Sequence, residues 1–351
     1  MGALGELLVG LAAIGARAPV VEIPGSILVV RNNDLGDVLV ATPIFEALKR
    51  RFPAARVVAG VGDWACPILD GNPFVDEIVP VNAPWWNKYS AASVMAPLRY
   101  LLRSAEVRAL RHARFDVGID FLGSRWGALL LLAAGIPKRL GVAGFAGGHW
   151  GMTRTVKFSP QEHVAAQGLR LAAALGAVEL PEPRPQVYLT PEERARGEAA
   201  WGPGRPRILV APGGGHDGKC WPRERFEDLA LMLGERISAR LVVVTGPRER
   251  EWIVARAARF GPGAILVEPP LRELFALVAA SDLVVCNSSV TLHAAAAFRR
   301  PALCLLGASF ASTAAHDAQW GYPGLSRSLG REGGRFLEIA TVEEALWGPS
   351  P

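Results

Sequence analysis

Three short stretches of the chain hold side chains whose types and spacing could do chemistry. RNNDLGD (31–37) sets two carboxylates, Asp34 and Asp37, around Gly36, directly after an apolar run. A carboxylate there either caps a helix or acts as a general base, and Gly36 lets a substrate come close. APGGGHDGKCWP (211–222) joins three consecutive glycines, Gly213 and Gly214 first, to Lys219 at the end of another apolar run. Glycine amides and one ammonium suit a phosphate. NSSVTLH (287–293) starts an alanine-rich helix with Asn287, Ser288 and Ser289 and carries His293 one turn further on. Hydroxyls and amides at a helix start suit an anion, although a serine is equally at home there as an N-cap and His293 as a core histidine. Two anion-suited loops in one half and a carboxylate in the other point to a diphosphate-bearing donor and an activated acceptor.

The glycine loop comes close to the P-loop of nucleotide hydrolases, since Gly213 to Lys219 fit its first seven positions. The next residue, Cys220, cannot supply the hydroxyl that holds Mg²⁺, and Pro222 interrupts the helix that should follow. No later strand ends in the aspartate of a second Mg²⁺ ligand: RLVVVTG (240–246) ends in glycine and DLVVCN (282–287) in asparagine. Phosphate binding survives this test and nucleotide hydrolysis does not. No D-x-D pair is present to hold a divalent cation, so no metal is expected. The four cysteines (Cys66, Cys220, Cys286, Cys304) lie far apart without a C-x-x-C pair. Neither a zinc site nor a disulfide framework is indicated, and a reducing cytoplasm is the expected setting.

These loops need strands to hold them. SILVVRN (26–32), ARVVAGV (55–61), DEIVPV (76–81), DVGID (116–120) and KRLGVA (138–143) read as buried strands alternating with helices such as ATPIFEALKRRFP (41–53). The alternation restarts with RILVAP (207–212) and runs through RLVVVTG, AILVEP (264–269), DLVVCN and ALCLLG (302–307). Continuous apolar strands between helices are the mark of parallel sheets covered on both faces. The proline-rich segment 181–206 with its one helix, TPEERARGEAAW (190–201), reads as the connection. Two α/β domains are therefore expected, 1–180 on the acceptor side and 207–351 on the donor side, with ligands beyond the carboxyl ends of the strands in a shared cleft. The last helix, VEEALW (342–347), is a candidate to cross back onto the first domain.

A net charge of +5 over 351 residues is too dilute for a nucleic-acid stripe but suits an acidic substrate or an anionic membrane surface. MGALGELLVGLAAIGARAP (1–19) is apolar, yet it contains Glu6 and falls short of the ~20 residues that span a bilayer. It reads as a helix packed on the domain, with an interfacial anchor at the inner face of the cell membrane as the alternative. A monomer or weak oligomer is expected.

At the three loops the sequence resembles glycosyltransferase family 9, the heptosyltransferases of the lipopolysaccharide inner core. The family opening R-x-x-x-L-G-D followed by T-P is met by Arg31, Leu35, Gly36, Asp37, Thr42 and Pro43. GNPFVDEIV (71–79), DFLGSRW (120–126) and PKRLGV (137–142) are similar to its further patterns. APGGGHDGKCWPRERF (211–226) is similar to its H-P-G-x(5)-K-x-W-P-x-E-R-F loop, and LRELFALVAASDLVVCN (271–287) to the stretch before its N-D-T-G-x-x-H motif.

The resemblance implies a GT-B fold of two Rossmann-like domains and an inverting, metal-independent transfer from a nucleoside-diphosphate sugar such as ADP-heptose to a glycolipid or small glycoside. It makes Asp37 the base, with Arg31, Asp34 and Arg125 on the acceptor side. It sets Lys219 on the donor phosphate and an acid near Glu249, between Arg248 and Glu251, on the ribose. Departures occur at NSSVTLH, where Ser288 replaces the acid and Val290 the glycine. They imply a changed choice of sugar, or another carboxylate such as Asp217 in the missing role. A secondary-metabolite transferase using a different nucleotide-sugar, a sugar-nucleotide epimerase and a binding protein without transferase activity are the competing readings.

Overall fold

The computed structural model describes residues 23–85, 95–261, 263–330 and Val342. The apolar N-terminal stretch and most of the VEEALW segment lie outside the described residues. The chain divides into two compact units, Met1–Pro183 and Arg184–Pro351. Each is built on one six-stranded, wholly parallel sheet.

In the first unit the strands are β1 (Ser26–Val30), β2 (Arg56–Val61), β3 (Glu77–Pro80), β4 (Val117–Asp120), β5 (Lys138–Ala143) and β6 (Arg154–Lys157), in the order β3-β2-β1-β4-β5-β6. The second repeats this order with β7 (Arg207–Ala211), β8 (Arg240–Val244), β9 (Ile265–Val267), β10 (Leu283–Cys286), β11 (Ala302–Leu305) and β12 (Ser326–Leu329). In both, the first strand pairs with the second on one side and the fourth on the other. The crossovers from these two central strands therefore leave in opposite directions, which is the switch point of a Rossmann-like sheet. β1 and β4 flank it in the first unit, with Val30 opposite Asp120. β7 and β10 flank it in the second, with Ala211 opposite Cys286.

Alternation along the strands supplies both cores. Leu28 and Val30 meet Leu110, Leu130 and Leu131 on one face of the first sheet. Ile208, Val210, Val243 and Val285 meet Phe226, Leu229 and Leu233 of the helix Arg223–Ile237 in the second, and Val342 is buried in the same cluster. The strand expectations hold wherever both faces are apolar. The edge strands β6 and β12 and the helices Val164–Leu175 and Thr313–Trp320 were not anticipated. The first helical region begins earlier than the sequence pattern suggested. Leu35–Ala41 is already helical, and a second helix, Pro43–Arg51, follows with proline in its first turn.

Of the segment read as a connection, the part from Arg184 onward falls in the second unit. Its helix Pro191–Trp201 starts with a full capping box, Thr190 and Glu193 each satisfying the other's backbone. It lies so close to the helix Leu271–Ala279 that a Cβ on Gly197 would stand 2.4 Å from the Ala276 carbonyl oxygen. Trp201 is fully buried and donates its indole N–H to the Leu277 carbonyl at 3.0 Å.

At the end of β4, Asp120 is buried and accepts from the Ser124 amide at 2.6 Å and the Leu122 amide at 3.3 Å. The helix Arg125–Ala133 packs directly on it, and Gly127 leaves the necessary room, since a Cβ there would sit 2.1 Å from the carboxylate. Burial pushes this carboxyl up to about 6, against the opposing pull of those amides and of Arg31.

Two outcomes follow. Gly197→Ala must force backbone apart, so it should destabilise the protein by about 1–3 kcal/mol in denaturant unfolding. An unchanged midpoint would show that the two helices do not depend on this approach. For Asp120, the folded carboxyl keeps its proton up to about 6, whereas the unfolded chain releases it near about 3.9. Between these values the folded state binds more protons, so stability falls as pH rises. Relative to Asp120→Asn, which cannot titrate, the wild type should lose on the order of 1–3 kcal/mol across that window. A flat difference would mean that Asp120 is already ionised when folded.

Candidate active site

The first unit gathers its candidates at the β1/β4 switch point. Arg31 leaves β1 and is only 6% exposed; its guanidinium lies 5.2 Å from the Phe121 ring centre. It donates to Asp37 Oδ1 at 2.6 Å. Asp37 itself stands in the first turn of the helix Leu35–Ala41, where the helix dipole favours a negative charge. Its side chain remains 27% exposed, so one oxygen is oriented by arginine while the group still meets solvent. Asp34 is the N-cap residue of the same helix. Arg125 begins the helix after β4, whose start is capped by the Ser124 hydroxyl. All four acceptor-side candidates thus come from the two loops of one switch point. The sequence reading missed Asp120, whose buried charge lies near Arg31.

The second unit assembles the donor-side candidates in the same way around β7 and β10. Asn287, fully buried just beyond β10, accepts from the Trp221 amide at 2.9 Å and donates to the carbonyls of Pro212 at 2.7 Å and Gly213 at 3.2 Å. Expected as a donor ligand, it is instead a brace, because its amide is spent on the glycine loop. Gly213 passes over Glu249, where a Cβ would stand 2.9 Å from the carboxylate. Glu249 is buried, accepts from the Gly246 amide at 3.1 Å and has Arg223 at 3.8 Å. Gly214 lies against Cys220, whose thiol is pushed up to about 11 by burial and stays neutral.

Lys219 closes the turn Asp217–Lys219 and is anchored by its backbone, with its carbonyl accepting from Gly307 at 3.1 Å. Among the described residues its ammonium forms no ion pair. Asp217 pairs with Arg223 at 3.1 Å and Arg248 at 3.5 Å, and Arg248 also donates to the Gly215 carbonyl at 2.8 Å.

Ser289 is the N-cap of the helix Val290–Ala297, and its buried hydroxyl has no hydrogen-bond partner among the described residues. Ser288 meets His316, with Nε2 2.9 Å from its hydroxyl. His293 is corrected too. It is buried against Trp320 and Tyr322 and bonds the Tyr322 hydroxyl through Nδ1 at 2.7 Å, which makes it a core histidine.

His316, Asp317 and Ser328 were absent from the sequence reading, as was Arg223. The one available signal was Ser312, whose hydroxyl caps the helix carrying His316 by accepting from Ala315 at 3.1 Å. Among the described residues, no three His, Cys, Asp or Glu side chains converge as a metal cage would require.

Taken as chemistry, the first unit presents an arginine-oriented carboxylate. The second presents glycine amides, a lysine and a helix N-terminus, with a buried acid beneath. Comparison with known proteins places the chain in a family and a fold. Lipopolysaccharide heptosyltransferase 2 of Escherichia coli K12 is 26% identical over 314 residues, covering 81% of this chain and 83% of its own. The structure of E. coli ADP-heptose lps heptosyltransferase II superposes with a TM-score of 0.68 at 21% identity, over 87% of this chain and 90% of that one. The structure of E. coli heptosyltransferase WaaC with ADP gives 0.70 at 18% identity, over 92% and 96%. These two likenesses establish the fold, two Rossmann-like domains of the GT-B kind. The family model for glycosyltransferase family 9 (heptosyltransferase) matches residues 103–315, more than half of the chain, and the protein belongs to that family.

Proposed function

We propose that this protein transfers a heptose-like sugar from ADP-heptose to a hydroxyl of a glycolipid acceptor, with inversion and without a metal ion. The observation that carries the reading is Asp37, a partly exposed carboxylate in a helix's first turn, oriented by a buried arginine at a sheet switch point. Asp37 takes the proton of the acceptor hydroxyl while that oxygen attacks the anomeric carbon. The bond from that carbon to the diphosphate oxygen breaks in the same step, and the nucleoside diphosphate leaves with the electron pair. Lys219 and the amides at the start of the helix Val290–Ala297 meet the charge that develops there. Such preorganised donors are worth ~3 kcal/mol each when aimed at a developing anion.

The donor assignment draws on the relatives, one an ADP-heptose lps heptosyltransferase and another a heptosyltransferase solved with ADP. Glu249, buried under Gly213 just after β8, is the candidate partner of the ribose hydroxyls. The acceptor is assigned to the inner face of the cell membrane, reached from the cytoplasm. Among the described residues no helix is long and apolar enough to cross a membrane.

Asp37→Asn should lower turnover by ~10²-fold or more with ADP affinity unchanged, because only proton abstraction is lost. Full turnover in Asp37→Asn with loss in Asp34→Asn would move the base to Asp34. Turnover should also survive EDTA. A strict requirement restored by Mg²⁺ or Mn²⁺ would transfer the phosphate charge from Lys219 to a cation.

A further inference from the structure

Behind the start of the helix Val290–Ala297 lies a chain of polar groups that the mechanism above does not use. Ser288 is half-buried, and its hydroxyl lies 2.9 Å from Nε2 of His316. His316 is only 2% exposed, with the Phe310 ring set edgewise against it at 4.9 Å. Its Nδ1 faces Asp317 Oδ1 and Ser328 Oγ, each at 3.1 Å. Ser328 donates its own proton to Asp317 Oδ1 at 2.5 Å.

That last bond decides the tautomer. With the Ser328 proton committed to Asp317, both neighbours of Nδ1 offer it lone pairs, so the imidazole proton belongs on Nδ1. Nε2 is then an acceptor, and the only proton that can fill the 2.9 Å gap is that of Ser288. Once this proton points inward, the Ser288 oxygen presents only lone pairs to whatever lies outside. Burial disfavours the Asp317 charge, but hydrogen bonds from His316 and Ser328 outweigh it and hold the carboxyl below its usual range. The carboxylate that fixes the tautomer is therefore ionised at neutral pH.

We propose that Ser288, its proton withdrawn by His316 and Asp317, is an acceptor-only group that recognises a hydroxyl of the donor sugar. The inference rests on the nucleotide-sugar reading above and adds two positioning residues, His316 and Asp317, to it. Such a serine does the accepting work of a carboxylate without bringing a negative charge beside a diphosphate. The groups facing the imidazole are Ser288, Asp317, Ser328 and the Phe310 ring. Beyond Ser328 lies the Cys304 thiol, which burial keeps protonated.

The test compares ADP with ADP-heptose, on the wild type, Ser288→Ala, His316→Gln and the double variant. Because the relay reads the sugar and not the nucleotide, ADP affinity should stay within about twofold throughout. The KM for ADP-heptose should rise roughly 3–10-fold in each single variant, the loss expected for one hydrogen bond. The double variant should be no worse than either single one, since the groups act as one unit. Side-chain ¹⁵N spectra of the free protein should show His316 protonated on Nδ1, a readout that needs no donor and survives any folding defect of a variant. Protonation on Nε2, additive variants, or an unchanged KM in Ser288→Ala while transfer continues would overturn the proposal. So would labelling of Ser288 by a fluorophosphonate, which would make the hydroxyl a nucleophile. Failure of the wild type to bind ADP or any ADP-sugar would bring down the nucleotide-sugar reading itself, and the relay's role with it.

Discussion

A parallel strand cannot return directly to its neighbour. Each crossover must travel the length of the sheet outside it, and the two central strands of each sheet here send theirs to opposite sides. Between the departing chains no loop covers the sheet end, so a crevice is left that only polar backbone and short side chains can line. Apart from the core histidine His293, the candidate groups of this protein gather at the two crevices. The first holds the carboxylate of Asp37 and the second the glycine–lysine loop, because strand order gives each sheet one such place.

Polar groups in a crevice are partly buried, and a buried polar group must be satisfied. Asn287 ties the glycine loop to the end of β10 through three hydrogen bonds, so the backbone that would cradle a phosphate is rigid before any ligand arrives. Arg31 orients Asp37 in the first unit, and Asp120 beneath it caps the amides of Leu122 and Ser124. In each unit a fully or nearly buried residue holds a more exposed one in place. A ligand meeting such a surface would have little left to organise.

The sequence makes the central strands plain and shows the edge strands β3 and β9, which carry short apolar runs, but not the edge strands β6 and β12. β1, β4, β7 and β10 are covered on both faces and must be continuously apolar, which is a pattern visible in any single chain. β6 (RTVK) and β12 (SRSL) each have one neighbour and mostly polar side chains, so nothing in their composition separates them from loops. The same limit decided what could be read of the site. Asp37, Lys219 and Glu249 follow central strands and were legible from position and residue type. Ser328 lies on β12, and His316 and Asp317 lie on the helix before it. The relay behind Ser288 was therefore hidden with the elements that carry it. His293 shows the converse error, since a histidine one turn into a helix looks alike whether it faces a ligand or, as here, a buried tyrosine.

Val342, fully buried in the core of the second unit, sets an order of events during synthesis. The first sheet has all six strands once residue 157 has emerged, and the helix Val164–Leu175 that packs beside Pro43–Arg51 follows soon after. The second sheet must wait for β12 at 326–329, and its core stays open until residue 342 leaves the ribosome. The first unit can close as a domain while the second is still being made. For that interval the apolar face formed by Ile208, Val210, Phe226 and Leu229 is a surface exposed to the cell, and Val342, which follows all six strands of its sheet, is the residue that completes its cover.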